Sequence, residues 1–71
     1  MTLAVPEVLA EPLLYRVRDA MRVLSMSRTV IYDQIRMGRL RTVKQGRTRL
    51  VPASAINEYV ALLEREAGDQ Q

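Results

Sequence analysis

The sequence predicts one small, mainly helical domain that carries a single β-hairpin. Apolar residues recur at helical spacing in three stretches, a three-residue turn separates the first two, and a basic, β-branched stretch with a central glycine precedes the third. A chain of 71 residues buries only about 60% of the surface that its unfolded form exposes. We therefore expect a compact binding module rather than an enzyme with a catalytic cleft.

The first helix is predicted to begin at Val17, because apolar residues then recur at i, i+3, i+4 and i+7 as far as Leu24. Its N-cap falls on Arg16, a poor capping residue whose charge opposes the positive end of the helix dipole. A bound phosphate would resolve this conflict, and Arg18 in the first turn could assist. An Arg16 side chain that simply extends into solvent explains the sequence equally well.

The second helix is predicted to run from about Arg28 to Met37. Ser27 is suited to the N-cap, Gly38 is suited to a left-handed residue after the last turn, and Ser25 to Ser27 form the turn that separates this helix from the first. At 100° per residue, Ile31, Gln34 and Ile35 share an inward face. The residues predicted to share the outward face are Arg28, Thr29, Tyr32, Asp33 and Arg36.

The outward face of the second helix has the hydrogen-bonding groups that suit a DNA major groove, where base edges present donors and acceptors. Ser27 at the N-terminus belongs to the same candidate surface. A solvated amphipathic helix is the alternative, since charged outer faces are common on helices. Asp33 fits two roles: its carboxylate can accept a hydrogen bond from a cytosine amine, or it can pair with Arg36 one turn later.

A hairpin is predicted after Gly38, with strands near Leu40 to Lys44 and Thr48 to Val51. A basic hairpin after two crossed helices is a wing, and its arginines can contact phosphates or enter a minor groove. The charges would equally protect a solvated strand edge from pairing. Alternation does not decide whether Leu50 or Val51 faces the core. The predicted tip residues are Lys44, Gly46, Arg47 and Arg49.

A final helix is predicted from about Ala53 to Glu66, opened by Pro52. Its apolar stripe is predicted to be Ile56, Tyr59, Val60 and Leu63, with Ala55 and Leu62 at the edge. We expect this helix to complete the core. The alternative is that Ala55 and Leu62 seat a second protomer.

The two ends of the chain are predicted to lie outside the folded domain, which spans residues 13–67. Residues 1–12 have no helical or strand periodicity around their two prolines and are expected to form a flexible arm. Leu13 to Tyr15 suggest a short edge strand. Residues 68–71 form a polar tail.

Basic charge is concentrated in the middle of the chain. Ten of the 11 basic residues lie between Arg16 and Arg49, with only two of the eight acidic residues, although the net charge is just +3. Nine of those ten are arginines, which bind phosphates and guanine edges bidentately where lysine offers a point charge. A basic surface on a small domain attracts polyanions such as DNA.

Several classes of function are disfavoured by composition. The chain has no cysteine and no histidine, so it lacks thiolate ligands, the commonest metal ligand and the commonest general acid–base group. No glycine-rich phosphate loop and no pair of carboxylates with an acid–base role is evident, and we expect no cofactor and no enzyme activity. No stretch predicts a membrane span or a signal peptide, so we expect a cytoplasmic protein.

The ordered series of residues from Leu13 to Leu63 resembles the phage and plasmid excisionase family of winged helix-turn-helix proteins, which is related to the MerR-like DNA-binding domains. Positions that depart from the family's pattern are Arg16, Val30 and Gln45. The matching positions are Val17, Ala20, Leu24, Ser27, Arg28, Ile31, Tyr32, Ile35, Arg36, Gly38, Leu40, Val43, Gly46, Arg47, Val51, Pro52, Ala55, Ile56 and Tyr59.

The resemblance implies a recombination directionality factor in a bacterial host cell. Such proteins bind attachment-site DNA, often as several copies, bend it, and help an integrase to excise integrated DNA. The resemblance places Ser27, Arg28, Thr29, Tyr32 and Arg36 at the major groove, and Gly46, Arg47 and Arg49 in the wing contact.

Two other functions remain open from the sequence. A small transcription regulator would use the same surface, whereas the few residues after Arg65 argue against a ligand-sensing regulator with a long dimerising helix. A protein-interaction adaptor would instead present the basic face to an acidic partner. Loss of duplex affinity with added salt would distinguish a DNA-binding protein from such an adaptor.

Overall fold

A computed structural model of the chain describes residues 12–69, without the side chain of Asp69. The predicted arm therefore lies outside the described residues except for Pro12, as do the last two residues of the predicted tail. The elements in chain order are β1 (Leu14–Arg16), α1 (Val17–Leu24), α2 (Arg28–Arg36), β2 (Val43–Gln45), β3 (Thr48–Pro52) and α3 (Ala53–Asp69). Three helices with a small antiparallel sheet confirm the predicted winged helix-turn-helix fold.

The turn between α1 and α2 is closed by local backbone hydrogen bonds. Ser25 adopts a left-handed conformation with φ of 56°, and the N–H of Met26 donates to the carbonyl of Met21 at 2.9 Å. The Ser27 hydroxyl then accepts from the N–H of Val30 at 3.2 Å, which confirms Ser27 as the N-cap of α2. These contacts satisfy backbone groups at the facing ends of both helices and fix the angle at which the helices cross.

The end of α2 is also as predicted. Gly38 has φ of +77°, a conformation that residues with a Cβ rarely adopt. The N–H groups of Arg39 and Leu40 both donate to the carbonyl of Gln34, at 2.9 and 3.2 Å. Because these two N–H groups complete the helix end, they are not available to a strand. The predicted start of the first hairpin strand at Leu40 is therefore wrong, and β2 begins at Val43.

The sheet has three strands in the order β1–β3–β2, so β3 is central. The predicted edge strand near Leu13 exists as β1, which pairs antiparallel with β3 and places Tyr15 opposite Val51. Val51 is fully buried whereas Leu50 is half-buried, which settles which of the two faces the core. The wing is therefore not an isolated hairpin, since β3 is hydrogen-bonded on both sides.

The core takes one or more side chains from every layer of the fold. Its buried members are Ala20 from α1, Ile31 from α2, Leu40 from the connection, Val51 from β3, and Ala55, Ile56 and Tyr59 from α3. Burying each larger apolar side chain contributes on the order of 1.5–3 kcal/mol. A core shared by so many elements holds α2 and the wing in one fixed relation.

The buried face of α3 differs from the predicted stripe. Ala55 and Leu62 face the core, whereas Val60 and Leu63 remain 37% and 38% exposed. The N–H of Ala53 donates to the carbonyl of Leu13 at 2.9 Å, and this contact at the start of α3 constrains its rotation about its axis. Ala55, which is 1% exposed, is therefore not available to seat a second protomer, and Leu62 is partly buried against the core. The helix also continues past the predicted end at Glu66 into the first two residues of the predicted tail.

Candidate nucleic-acid interface

The outward face of α2 forms a shallow depression of about 520 Å³, lined by Arg28, Thr29, Tyr32, Asp33 and Arg36. These are the residues that helical spacing placed together, so the predicted face is confirmed as one surface. Its walls carry two guanidinium groups, two hydroxyls and one carboxylate. A surface with this mixture of donors and acceptors can form hydrogen bonds with polar edges of a ligand.

Both arginines of this face are held by neighbours on the same helix. The Cζ atom of Arg28 lies 5.4 Å from the centre of the Tyr32 ring, a distance at which cation and ring attract each other. The Arg36 guanidinium donates to the Asp33 carboxylate through Nη2, which confirms the pairing that the i, i+3 spacing allowed. Each contact restricts a long, exposed side chain and lowers the entropy that binding would remove.

Ser27 and Val30 flank this face at the start of α2. The Ser27 hydroxyl oxygen caps the helix through the N–H of Val30, so its first role is to position α2, and its proton remains able to donate. Val30 is 44% exposed, on the flank where helical spacing placed it. The N-terminus of α2 carries no acidic residue in its first turn, which leaves its partial positive charge available to a phosphate.

The wing turns at Gly46 and Arg47, between the paired residues Gln45 and Thr48. Gly46 has φ of +61° while Arg47 is not among the residues with positive φ, an arrangement typical of a type II′ hairpin turn with glycine first. Arg47 is exposed at the tip, as predicted. Gly46 therefore acts through the backbone shape that presents Arg47.

Lys44 and Arg49 lie directly opposite each other across β2 and β3. Both side chains are exposed, and directly opposed residues of an antiparallel pair project from the same face of the sheet. Two like charges at this spacing repel each other. A polyanion bound to this face would relieve that repulsion.

Neither Arg49 nor Lys44 forms the tip of the wing itself, where both were predicted. The hairpin register places Arg49 second in β3, opposite Lys44 and one pair away from the turn. Nη1 of Arg49 donates to the Thr42 hydroxyl at 2.8 Å. Arg49 instead lines a second depression of about 250 Å³ together with Tyr32, Ile35 and Arg36. This depression adjoins the first through Tyr32 and Arg36, so α2 and β3 form one continuous surface.

Arg16 and Arg18 are exposed but line neither depression. Arg16 is the N-cap of α1, in an extended conformation and without a side-chain capping bond, as its residue type predicted. Arg22, one turn beyond Arg18, is also exposed. Arg22 is not among the predicted site residues, although its i, i+4 spacing places it beside Arg18 on α1.

Two arginines of the basic segment are paired with the acidic C-terminal helix. Arg39 donates to both carboxylate oxygens of Glu66 at 2.7 Å, and Arg41 lies 3.2 Å from Glu58. The hydrogen bond from Arg39 holds the pKa of Glu66 below its ordinary value, and the same bond raises the pKa of Arg39. Neutralisation of these two charges leaves the excess of positive charge on α1, α2 and the wing.

A partly buried network of hydrogen bonds connects the Arg39–Glu66 ion pair to α2. The amide oxygen of Gln34 accepts from Nε of Arg39 at 2.7 Å and from the Tyr59 hydroxyl at 3.1 Å. Burial raises the pKa of the Tyr59 hydroxyl. Gln34, which helical spacing placed on the inward face, thus connects α2 to α3 at the end opposite its N-cap.

Other classes of site are not found in the part of the chain that the structure describes. Within residues 12–69, no group of three or more carboxylate, histidine or cysteine side chains is arranged to hold a metal ion. None of the described helices is long and apolar enough to cross a bilayer.

A short turn between two helices, an exposed polar face on the second helix and a basic hairpin beside it define a winged helix-turn-helix DNA-binding domain. The chain belongs to the helix-turn-helix domain family, since the family model of that description matches residues 14–61. The family includes excisionase-like DNA-binding proteins, and membership implies that the chain binds DNA. No curated protein and no solved structure shows a significant match to the chain.

Proposed function

We propose that this protein is a sequence-specific architectural factor that bends DNA and acts as an excisionase, assisting an integrase in site-specific excision. It would do so without catalysis of its own. The observation that carries the proposal is the depression of about 250 Å³ between α2 and the wing, which is lined by both Arg36 of α2 and Arg49 of β3. One surface thereby offers groups for base edges next to groups for phosphates.

The mechanism begins with electrostatic attraction. Arg28, Lys44, Arg47 and Arg49 are not ion-paired with any carboxylate among the described residues. When such groups bind DNA phosphates, they displace the counterions that are condensed there. The release of these counterions drives association with DNA. Arg47 at the tip and Lys44 beside Arg49 are the proposed phosphate contacts of the wing.

Sequence recognition is assigned to α2. The helix is narrow enough to enter a major groove, and its outward face carries side chains long enough to reach base edges. The Ser27 cap and the Gln34 network hold its two ends, so a base contact is made without reordering the backbone.

Bending follows from phosphate contacts on one side of the duplex. When positive groups neutralise phosphates on the protein side, repulsion between phosphates on the far side is unbalanced and curves the DNA towards the protein. A smooth bend of 40–90° over a site of 20–30 base pairs costs about 1–6 kcal/mol, an amount that a few charge-assisted contacts can offset. Several copies on sites spaced by whole helical turns, about 10–10.5 base pairs each, would add their bends.

Footprinting on the DNA that flanks the protein's own gene tests this role, combined with a gel assay in which the binding site is permuted along a fragment of fixed length. We expect adjacent repeated sites at a recombination junction, and a mobility that depends on the position of the site. Arg47→Ala should weaken both signals, whereas Arg65→Ala, a matched change on the outer face of α3, should preserve them.

Other outcomes would contradict the proposal. A single palindrome at a promoter, without position-dependent mobility, would identify a small transcription regulator. No affinity for any duplex at low salt would contradict the assigned binding surface and favour an adaptor with an acidic protein partner.

A further inference from the structure

We infer that the DNA site contains two guanines no more than about three base-pair steps apart, one contacted by Arg28 and the other by Arg36. This inference rests on the proposed role of α2 in reading DNA and defines the kind of sequence that it reads. It concerns the two arginines that line the depression of about 520 Å³ on the outward face of α2.

The chemistry of the guanidinium group selects guanine. In the major groove guanine presents two adjacent acceptors, O6 and N7, which match two parallel N–H groups of arginine. Lysine lacks this planar fork and binds as a point charge. Arg28 and Arg36 are both exposed, so their N–H groups are accessible from the side of the depression.

The neighbours of each arginine orient it and leave most of its donors free. Arg28 lies over the Tyr32 ring, and this attraction between a cation and a ring is not a hydrogen bond. Arg36 donates to Asp33 through Nη2. A guanidinium carries five N–H donors, so most of them remain for a base.

The spacing of the two guanines follows from helix geometry. Arg28 and Arg36 are eight residues apart, which corresponds to about 12 Å along a helix that rises 1.5 Å per residue. Both side chains turn towards the middle of α2, because Arg28 lies over Tyr32 and Arg36 bonds to Asp33. Their charged ends are thus closer than their backbones. Base pairs stack about 3.4 Å apart, so a helix that lies along the groove spans about three steps between the two contacts.

The first experiment selects binding sites from a randomised duplex library with the wild-type protein and with Arg28→Ala and Arg36→Ala. We expect a wild-type consensus with two guanines inside the stated window. Each alanine variant should lose preference for one of them by roughly 5- to 150-fold and keep its preference for the other. Arg65→Ala, a matched change on the exposed face of α3, should keep both preferences.

The second experiment leaves the protein unchanged and so does not depend on variant folding. Each selected guanine is replaced by 7-deazaguanine, which lacks the N7 acceptor but keeps base pairing. Affinity should fall at those two positions and not at guanines outside the window. A consensus without two guanines in the window, alanine variants with unchanged preferences, or full tolerance of 7-deazaguanine would each overturn the inference.

The two proposals fail in different ways. Two guanines selected on DNA that stays straight would support this inference and contradict the architectural role. Bent DNA with a consensus that lacks the guanine pair would contradict this inference and support the architectural role.

Discussion

Replacement of Lys44 by glutamine is expected to stabilise the free protein and lower its affinity for DNA. Lys44 and Arg49 are opposed across β2 and β3, and both are exposed. Directly opposed pairs in antiparallel sheets contribute about 0.2–1 kcal/mol, with like charges on the unfavourable side. Lys44→Gln should therefore raise the free energy of unfolding by about that amount. In a domain of this size the corresponding increase in Tm is on the order of 1–8 °C.

The same substitution removes one proposed phosphate contact. Each such contact contributes about 0.9 to the slope of log affinity against log salt concentration, so the slope for Lys44→Gln should be shallower by about that amount. Between 50 and 200 mM salt, the variant should lose about threefold less affinity than the wild type does. Thermal unfolding at low and high salt, together with a titration of labelled duplex, measures both effects.

Lys44→Arg is the matched control, because it keeps the charge and should leave both the Tm and the salt slope near their wild-type values. A Tm that falls in Lys44→Gln at low salt would show that Lys44 stabilises the hairpin. An unchanged salt slope would show that this face of the wing does not contact phosphates. The first result would contradict the repulsion between Lys44 and Arg49, and the second would contradict the proposed phosphate contact. The gain in Tm should also shrink at high salt, since exposed charges are screened.

Three further predictions concern stability. Ile31→Ala removes a fully buried side chain at the centre of the core and should lower the free energy of unfolding by about 2–5 kcal/mol, measured by urea denaturation; a loss below 1 kcal/mol would contradict the described packing. Ser27→Ala removes the acceptor for the Val30 N–H and should cost about 0.5–2 kcal/mol, whereas Ser27→Asp should retain most of the stability. Glu66→Gln should make the free energy of unfolding less dependent on pH in acid. The hydrogen bond from Arg39 lowers the pKa of Glu66 in the folded state. The stability that ionised Glu66 contributes to the wild type is therefore present above the unfolded-state pKa and is lost as pH falls through the folded-state pKa. Identical acid unfolding curves for the two proteins would contradict that linkage.

The features that the sequence predicted best are set by residues close together in the chain. Ser27 and Gly38 bound α2 because capping depends on the conformation of one or two residues. The outward face of α2 follows from helical periodicity alone, and so does the pairing of Asp33 with Arg36. Local rules were sufficient for the part of the site that lies on one helix.

The features that the sequence did not predict depend on contacts between distant residues. Arg49 reaches α2 only because the Gly46 turn sets the hairpin register, and one residue of shift would turn it to the other side of the sheet. In α3, helical spacing allows two overlapping apolar faces, and the sequence does not show which one is buried. The hydrogen bond from Ala53 to Leu13, which constrains the rotation of the helix, joins residues far apart in the chain. The pairing of Arg39 with Glu66 joins residues 27 positions apart, so the basic segment looked more uniformly exposed than it is.

The central position of β3 has a mechanical consequence. Because this strand is bonded to β1 on one side and to β2 on the other, a pull on the wing tip is transmitted through β1 to Arg16, where α1 begins. Under the proposed bending role, the force that a bent duplex exerts on the wing would be shared among three strands and the start of α1, and would not fall on the β2–β3 hairpin alone.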